Sequence, residues 1–522
     1  MNMSFTLMPI INHYFLLFLL FSLVYCAEFL VLKLKFKRLK FLIYPLMGAI
    51  ILSNLGLYFT GVKYGFLIII SYFTIYRIIN LYRKVIDSSS NNYLSTSIFS
   101  SSTRLIIIQL VIYFIGIYFS YSLKSAGMML TSSQIISSIS IIVLIIIVYL
   151  NLITYKNVKS TRRPLFNVHY FDRDLPTVSV LIPARNETDD LEECLVSLVK
   201  CDYPKLEILV LDDCSQNRKT SDIIRSFAHA GVRFIEGNVP PEDWLAKNYA
   251  YQQLSEQASG DILLFCGVDV RFSEHSLRSA IELMLAKKIS MISFIPKNIY
   301  KNQSYKAWVY QPARYAFELS IPRYFLKRPP VLSTCWLIKS QDLSKYGQFK
   351  AIKKRVTPES YFSRLTLLNN NRYNLVKADE VIDISSSKPY YEQYQTAIRT
   401  YYPKLHRKIE LVSLVGLGEF IIFIGPLVGL MISLGRLDLF LYICNITSVL
   451  LLLLYYSQII NLTYNQKWLK GTFMIFIAAI FDISIYNISM IKYEFGTIYW
   501  KERNICLPIM QIDRSLPKFD KI

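Results

Sequence analysis

Long apolar runs gathered into two blocks constrain this chain more than any other feature. Phe15–Val31, Phe41–Tyr58, Tyr64–Ile79, Leu105–Leu123 and Ile135–Leu152 form the first block; Leu411–Leu434, Leu437–Ile460 and Phe473–Ile491 form the second. Each is close to the ~20 residues that cross a bilayer core as a helix, the form in which a chain satisfies its own backbone polar groups. The runs account for the 53% hydrophobic content of the 522 residues and mark a multi-pass membrane protein. The net charge of +21 is then what membrane orientation and anionic lipid require, and it gives no support to a nucleic-acid partner.

Lys33, Lys35, Lys37, Arg38 and Lys40 follow the first run, the reverse of a cleavable signal peptide, so that run reads as an anchor with its basic end in the cytoplasm. Five crossings bring the segment after Leu152 to the same side. The expected organisation is a transmembrane block over 1–155, a basic linker over 156–176, a domain over 177–407 on the cytoplasmic face of the cell membrane, a second block of two to three helices over 408–492, and a basic tail over 493–522. Three crossings would put that tail outside, against its charge. Gly425-Pro426, with Gly416, Gly418 and Gly429, offers a break that would make the run re-entrant or interfacial instead. Tyr64–Ile79, the shortest run, also fits an interfacial helix, and Ser88–Ser102 reads as a flexible loop.

Between the blocks the periodicity changes. Thr177–Pro183 is a β-branched apolar run ended by a turn. Leu191, Cys194, Leu195 and Leu198 then recur at helical spacing behind Asp189, Asp190, Glu192 and Glu193, acids that suit a helix N-terminus. The alternation repeats through Leu206–Leu211, a helix marked by Ile223, Ile224 and Phe227, Val232–Ile235 and Asp261–Phe265. Strands alternating with helices predict a mostly parallel sheet covered on both faces, with ligands beyond the carboxyl ends of its strands. Asp212, Asp213 and Asp269 fall at those ends. The eight cysteines show no metal spacing and read as small buried residues in a reducing compartment.

Four blocks, in order and spacing, resemble family 2 glycosyltransferases: Pro183-Ala184-Arg185-Asn186-Glu187, Leu211-Asp212-Asp213-Cys214-Ser215, Trp244-Leu245-Ala246-Lys247-Asn248 and Phe265-Cys266-Gly267-Val268-Asp269-Val270. The likeness covers roughly 177–407 and is nearest the membrane-bound, lipid-directed branch that includes hopene- and carotenoid-associated enzymes, with a weaker echo at Thr497–Arg503. It implies an α/β GT-A fold, Rossmann-like, set between the two helical blocks. It also implies an inverting transfer of one sugar from a nucleotide-diphosphate sugar to a lipid acceptor.

The resemblance assigns roles residue by residue. Pro183, Arg185, Glu187, Asp212, Asp213, Lys247 and Val268 would contact the nucleotide. Asp269 matches the last residue of the family's D-x-D, whose carboxylate reaches Mg²⁺ or Mn²⁺ on the diphosphate. The first Asp of that motif is Gly267 here, so the site has one negative charge fewer. Trp244 and Lys247 lie in a block that has lost both family glycines, and Lys247 is equally at home as an ordinary first-turn lysine. Glu359, opening a helix-spaced run through Tyr361, Phe362, Leu365 and Leu368, takes the place of the general base. Gln395–Tyr401 keeps neither the spacing nor the Trp of the motif found in polymer-extending relatives, although Arg399 remains available to the diphosphate side. The tyrosines around it suit an interfacial helix. Two rival readings stand beside this one: a catalytically impaired relative acting as a membrane scaffold, and a transporter with an appended domain. Against the transporter, the apolar runs carry few charges, with Asp482 the main acidic exception.

Overall fold

The computed structural model describes residues 132–164, 169–241, 243–298, 315–316, 318–320, 328–388, 390–405, 407, 409–463, 471–494, 498–500 and 503–504. The first four apolar runs, the Ser-rich stretch and most of the tail lie outside them.

In chain order the elements are helix α1 (Ser132–Ser160), β1 (Val178–Ala184), α2 (Asp189–Val199), β2 (Leu206–Asp212), α3 (Arg218–Ser226), β3 (Val232–Glu236), α4 (Ala246–Gln257), β4 (Ile262–Cys266), β5 (Val270–Phe272), α5 (Ser276–Ala286), β6 (Ile289–Ile295), β7 (Lys297–Asn298), β8 (Cys335–Lys339), α6 (Ser340–Lys345), α7 (Pro358–Leu368), β9 (Arg372–Lys377), β10 (Ile384–Ser386) and α8 (Tyr390–Lys404). After these come α9 (Ile409–Glu419), α10 (Gly425–Arg436), α11 (Leu439–Thr463) and α12 (Ile475–Glu494).

Seven strands form one sheet in the order β3-β2-β1-β4-β8-β6-β9. The pairings among β3, β2, β1 and β4 are parallel, as the alternation predicts. The sheet is nevertheless mixed, because β8 runs antiparallel to both β4 and β6. Alternation of side chains explains the continuous apolar runs. Val178, Val180 and Ile182 of β1 face a core shared with Leu191, Cys194, Leu195 and Leu198 of α2. Leu181 faces the opposite core, with Tyr251 of α4 and Phe362 of α7. A strand buried on both faces has no polar positions to spare. Cys194, Cys266 and Cys335 are fully buried, as expected of small apolar residues.

Among the described residues, four helices are long and apolar enough to cross a membrane: Ile136–Ser160, Leu414–Arg436, Leu439–Leu462 and Ile475–Tyr493. At Gly425-Pro426, where the sequence left a break open as one alternative, the helical chain is continuous. A π-helical turn, Phe420–Ile424, precedes Pro426, and the Gly425 N–H bonds back to the Phe420 carbonyl. The wider turn takes the chain past a residue that has no N–H to donate. Gly429 is needed for packing rather than for a break: a Cβ there would lie 2.4 Å from Asn445 Oδ1 on α11.

The sheet domain is fastened to these helices by polar contacts. Asn157 Nδ2 of α1 donates to the Leu319 carbonyl at 2.6 Å. The tyrosine-rich α8 lies on α12: Ser489 Oγ accepts from the Tyr402 N–H at 3.1 Å, and the Tyr493 hydroxyl donates to the Arg399 carbonyl at 2.6 Å.

Candidate functional site

The register of β1 on β2 sets Ala184 beside Asp212, so the two carboxyl ends finish level. The loops that follow are tied together. Asn186, in the left-handed region at φ 48°, receives at its backbone N–H the hydroxyl oxygen of Ser215 at 2.9 Å, and its Oδ1 accepts from the Gln216 N–H at 2.9 Å. Asp212 Oδ1 accepts from the Ser215 N–H at 3.0 Å and so closes the turn. Asp213, 4% exposed, is held by its own N–H on the Ala184 carbonyl at 2.8 Å. Arg185 turns inward, and its Nη1 donates to the carbonyls of Asp213 at 2.7 Å and Cys214 at 2.6 Å. In this arrangement Arg185 fixes the loop that presents Asp213. Pro183 lies in β1 opposite Leu211, and the Glu187 carbonyl accepts from Thr220 Oγ1 at 2.8 Å.

Asp269 follows β4 in the same sheet. Its Oδ2 accepts from Ser386 Oγ at 2.9 Å and its carbonyl from the Ser387 N–H at 3.1 Å. β10 and β5 form a second, three-stranded sheet with β7, and this pairing brings residue 386 to residue 269. Gly267 has a steric role: a Cβ there would stand 2.5 Å from Asp269 Oδ1. The carboxylate occupies the space beside the glycine. The Val268 carbonyl accepts from Arg271 Nη1 at 2.6 Å, which stiffens the same turn.

Glu359 lies in the first turn of α7, behind Pro358 at a position where proline costs the helix no hydrogen bond, and it is 3% exposed. Trp336 of β8 stacks on Phe265 of β4 with centroids 4.2 Å apart and on Phe362 of α7 at 5.9 Å. Such stacks contribute roughly 0.5–1.5 kcal/mol each beyond burial. They couple the strand leading to Asp269 with the helix carrying Glu359. Tyr251 of α4 stands edge-on to Phe265 of β4, with centroids 5.0 Å apart. Burial, and then the neighbouring Cys266, Glu359 and Asp269, push its hydroxyl pKa well above the ordinary value.

Lys247 sits one turn earlier on α4, its Nζ 5.4 Å from the centre of the Tyr251 ring. Trp244 is 7% exposed in the core, edge-on to Tyr249 at 5.4 Å. Asn248 clamps the approach to α7, donating from Nδ2 to the carbonyls of Ile352, Lys353 and Arg355 at 3.0, 3.2 and 2.8 Å. Arg399 stays on α8, where its Nη2 donates to Thr396 Oγ1 at 3.0 Å.

Residues 179–347 match the family described as Glycosyl transferase family 2. The chain carries a family 2 glycosyltransferase domain. Probable glycosyltransferase YdaM of Bacillus subtilis is 36% identical over 101 residues, 19% of this chain and 24% of that protein. The 4,4'-diaponeurosporenoate glycosyltransferase of Staphylococcus haemolyticus is 35% identical over 107 residues, 20% of this chain and 28% of that protein. The chain therefore spans about a quarter of the length of these relatives. Among solved structures, a mannosyltransferase from Pyrobaculum calidifontis in complex with GDP-Man and Mn²⁺ aligns at 15% identity, TM-score 0.42, over 68% of this chain and 98% of that one.

In the glycosyltransferase domain no group of three or more His, Cys, Asp or Glu side chains among the described residues could hold a metal ion. Asp269 alone fits a Mg²⁺ or Mn²⁺ that arrives with a diphosphate, since such ions bind through one or two carboxylates, phosphate oxygens and water. The motif reading missed Ser386 and Tyr251 and gave no role to Asn248, the last residue of its third block. Only the Ser385-Ser386-Ser387 run signalled the first, and nothing local signalled Tyr251.

A buried ion pair joins Glu318 and Arg328. Arg328 donates to Glu318 from Nη1 at 2.7 Å and from Nη2 at 2.8 Å, and the Val331 N–H adds a third bond to that carboxylate at 3.2 Å. Burial alone would raise the Glu318 pKa; the guanidinium outweighs it and holds the carboxyl below the usual range. Arg328 also feels the charge of Glu359.

Proposed function

We propose that this chain is a membrane-embedded glycosyltransferase that moves a single sugar from a nucleotide-diphosphate sugar to a lipid hydroxyl, with inversion, on the cytoplasmic side. The observation that carries the reading is the Asp269 carboxylate fixed at the end of β4 by Ser386 Oγ at 2.9 Å, within residues 179–347 that match family 2. The acceptor oxygen attacks the anomeric carbon as the sugar–phosphate bond breaks. The acceptor proton goes to Glu359, and the bonding electrons leave with the nucleoside diphosphate.

Asp213, on the loop braced by Arg185, faces base and ribose. Pro183, Glu187 and Val268 line the nucleotide's approach, and Lys247 offers a point charge to phosphate. A divalent ion carried in with the donor and held by Asp269 would neutralise the departing diphosphate. The lipid acceptor is supported by the four helices of bilayer-crossing length, two of which hold the sheet domain through side-chain hydrogen bonds. Gly267 in place of the first Asp favours the scaffold reading to that extent. Purified protein in detergent decides between them. Turnover of a nucleotide sugar with Mn²⁺ that is lost in Asp269→Ala supports transfer, and failure to bind any nucleotide sugar contradicts it.

A further inference from the structure

A cavity of about 220 Å³ lies among the C-terminal helices, α1 and α8. Leu150, Phe423 and Ala479 are among its apolar walls, while Tyr401, Lys404, Glu419 and Asp482 supply charge and hydrogen-bonding capacity. Sequence reading singled out Asp482 as the acid within these runs. The fold sets a second, Glu419, on the wall of the same cavity.

The polar groups are incompletely used. The Tyr401 hydroxyl donates to Asp482 Oδ1 at 2.9 Å. Glu419 Oε2 is closed off from solvent and has no hydrogen-bond partner among the described residues. A carboxyl oxygen left unmatched in an apolar wall is costly, and a ligand that donates to it removes the cost. The wall selects the ligand. Two acids and one lysine, Lys404, stand among mostly apolar residues, where a phosphate would have to shed its water with a single cation to offset the cost. A hydroxyl costs far less to bury, donates to a carboxyl oxygen and accepts from Lys404. The volume equals roughly seven waters at ~30 Å³ each, enough for a small polar end and a few carbons.

Position relates the cavity to the candidate site. α8, which carries Tyr401 and Lys404 of the cavity wall, follows β10, whose Ser386 holds Asp269, and Ser320 on that wall lies two residues after Glu318 of the Arg328 pair. Resting on the lipid-acceptor reading above, we propose that this cavity receives the uncharged, hydroxyl-bearing end of the acceptor lipid before its oxygen is presented to Glu359, and that its largely apolar wall disfavours lipids with phosphate ends.

The test uses the full chain in detergent, without nucleotide sugar, and two probes of equal chain length: 1,2-dioctanoylglycerol and its 3-phosphate. The glycerol lipid should bind at least ten times more tightly. Ala479→Phe, which fills the cavity, and Glu419→Leu, which removes the acid and keeps an apolar wall, should each weaken it tenfold or more. Unchanged UDP and GDP binding and an unchanged melting temperature without lipid would show that both variants fold. Equal binding of the two probes, no binding of either, or full binding by both Ala479→Phe and Glu419→Leu would overturn the proposal. Lipid binding as expected but without sugar transfer would refute the transferase reading and leave the cavity's selectivity standing.

Discussion

Ser386 Oγ donates to Asp269 Oδ2 at 2.9 Å across 117 residues of sequence. A three-stranded sheet separate from the main one therefore fixes the orientation of the carboxylate at the end of β4. Ser386→Ala should leave the fold intact and reduce kcat/KM for the nucleotide sugar roughly 10- to 150-fold, the effect of losing a bond to a charged group of ~1.5–3 kcal/mol. Steady-state kinetics checks this, and Ser386→Thr should restore most of the rate.

Gly267 makes a counter-intuitive prediction. Restoring the family's acid with Gly267→Asp should lower activity, because any Cβ at 267 meets Asp269 Oδ1 at 2.5 Å. Gly267→Ala should fall similarly, tenfold or more, whereas a simple deficit of metal-binding charge would predict a gain for the Asp variant. A Mn²⁺ titration of both variants separates the two cases.

The Glu318–Arg328 pair sets an acid limit. Because the folded carboxyl lies below its usual range, its stabilisation is complete above the unfolded value of about 4.3 and is lost as pH falls through the folded value. Glu318→Gln leaves a buried guanidinium without its counter-charge and should cost roughly 3–5 kcal/mol. Thermal melts from pH 5 down to about pH 2 should show the wild type losing stability toward acid, with a shallower slope in the variant.

Asn248→Ala removes the donor shared by three carbonyls ahead of α7. Stranding them should cost about 1–3 kcal/mol and lower the melting temperature. The rate should fall more than the stability, since the freed segment leads directly to Glu359. Asn248→Asp, which accepts rather than donates, should be no better than Ala.

What the sequence shows and what it hides divide along contact range. The helical spacing of Leu191, Cys194, Leu195 and Leu198 predicts the face that α2 buries, and all four are fully buried. The ends of β2 and β4 are legible because apolar runs stop at acids. The reversed strand β8 is not, because its pairing with β4 joins residues some 70 positions apart and leaves no local signature. For the same reason Tyr251, Ser386 and the Glu318–Arg328 pair enter the picture only through the fold. Arg185 illustrates the opposite limit. Its motif is plain in the sequence, yet its guanidinium is directed to the backbone carbonyls of Asp213 and Cys214, a fact that spacing alone does not carry.

The central claim is that Glu359 removes the acceptor's proton while Asp269 and Asp213 serve the donor. The most direct measurement compares Glu359→Gln with the wild type in two assays on one detergent preparation: nucleotide-sugar affinity and single-turnover transfer to a lipid acceptor. The account predicts donor affinity within about threefold and transfer reduced roughly 10²–10⁴-fold, the usual contribution of a general base. Transfer at the wild-type rate with unaltered donor affinity would contradict it.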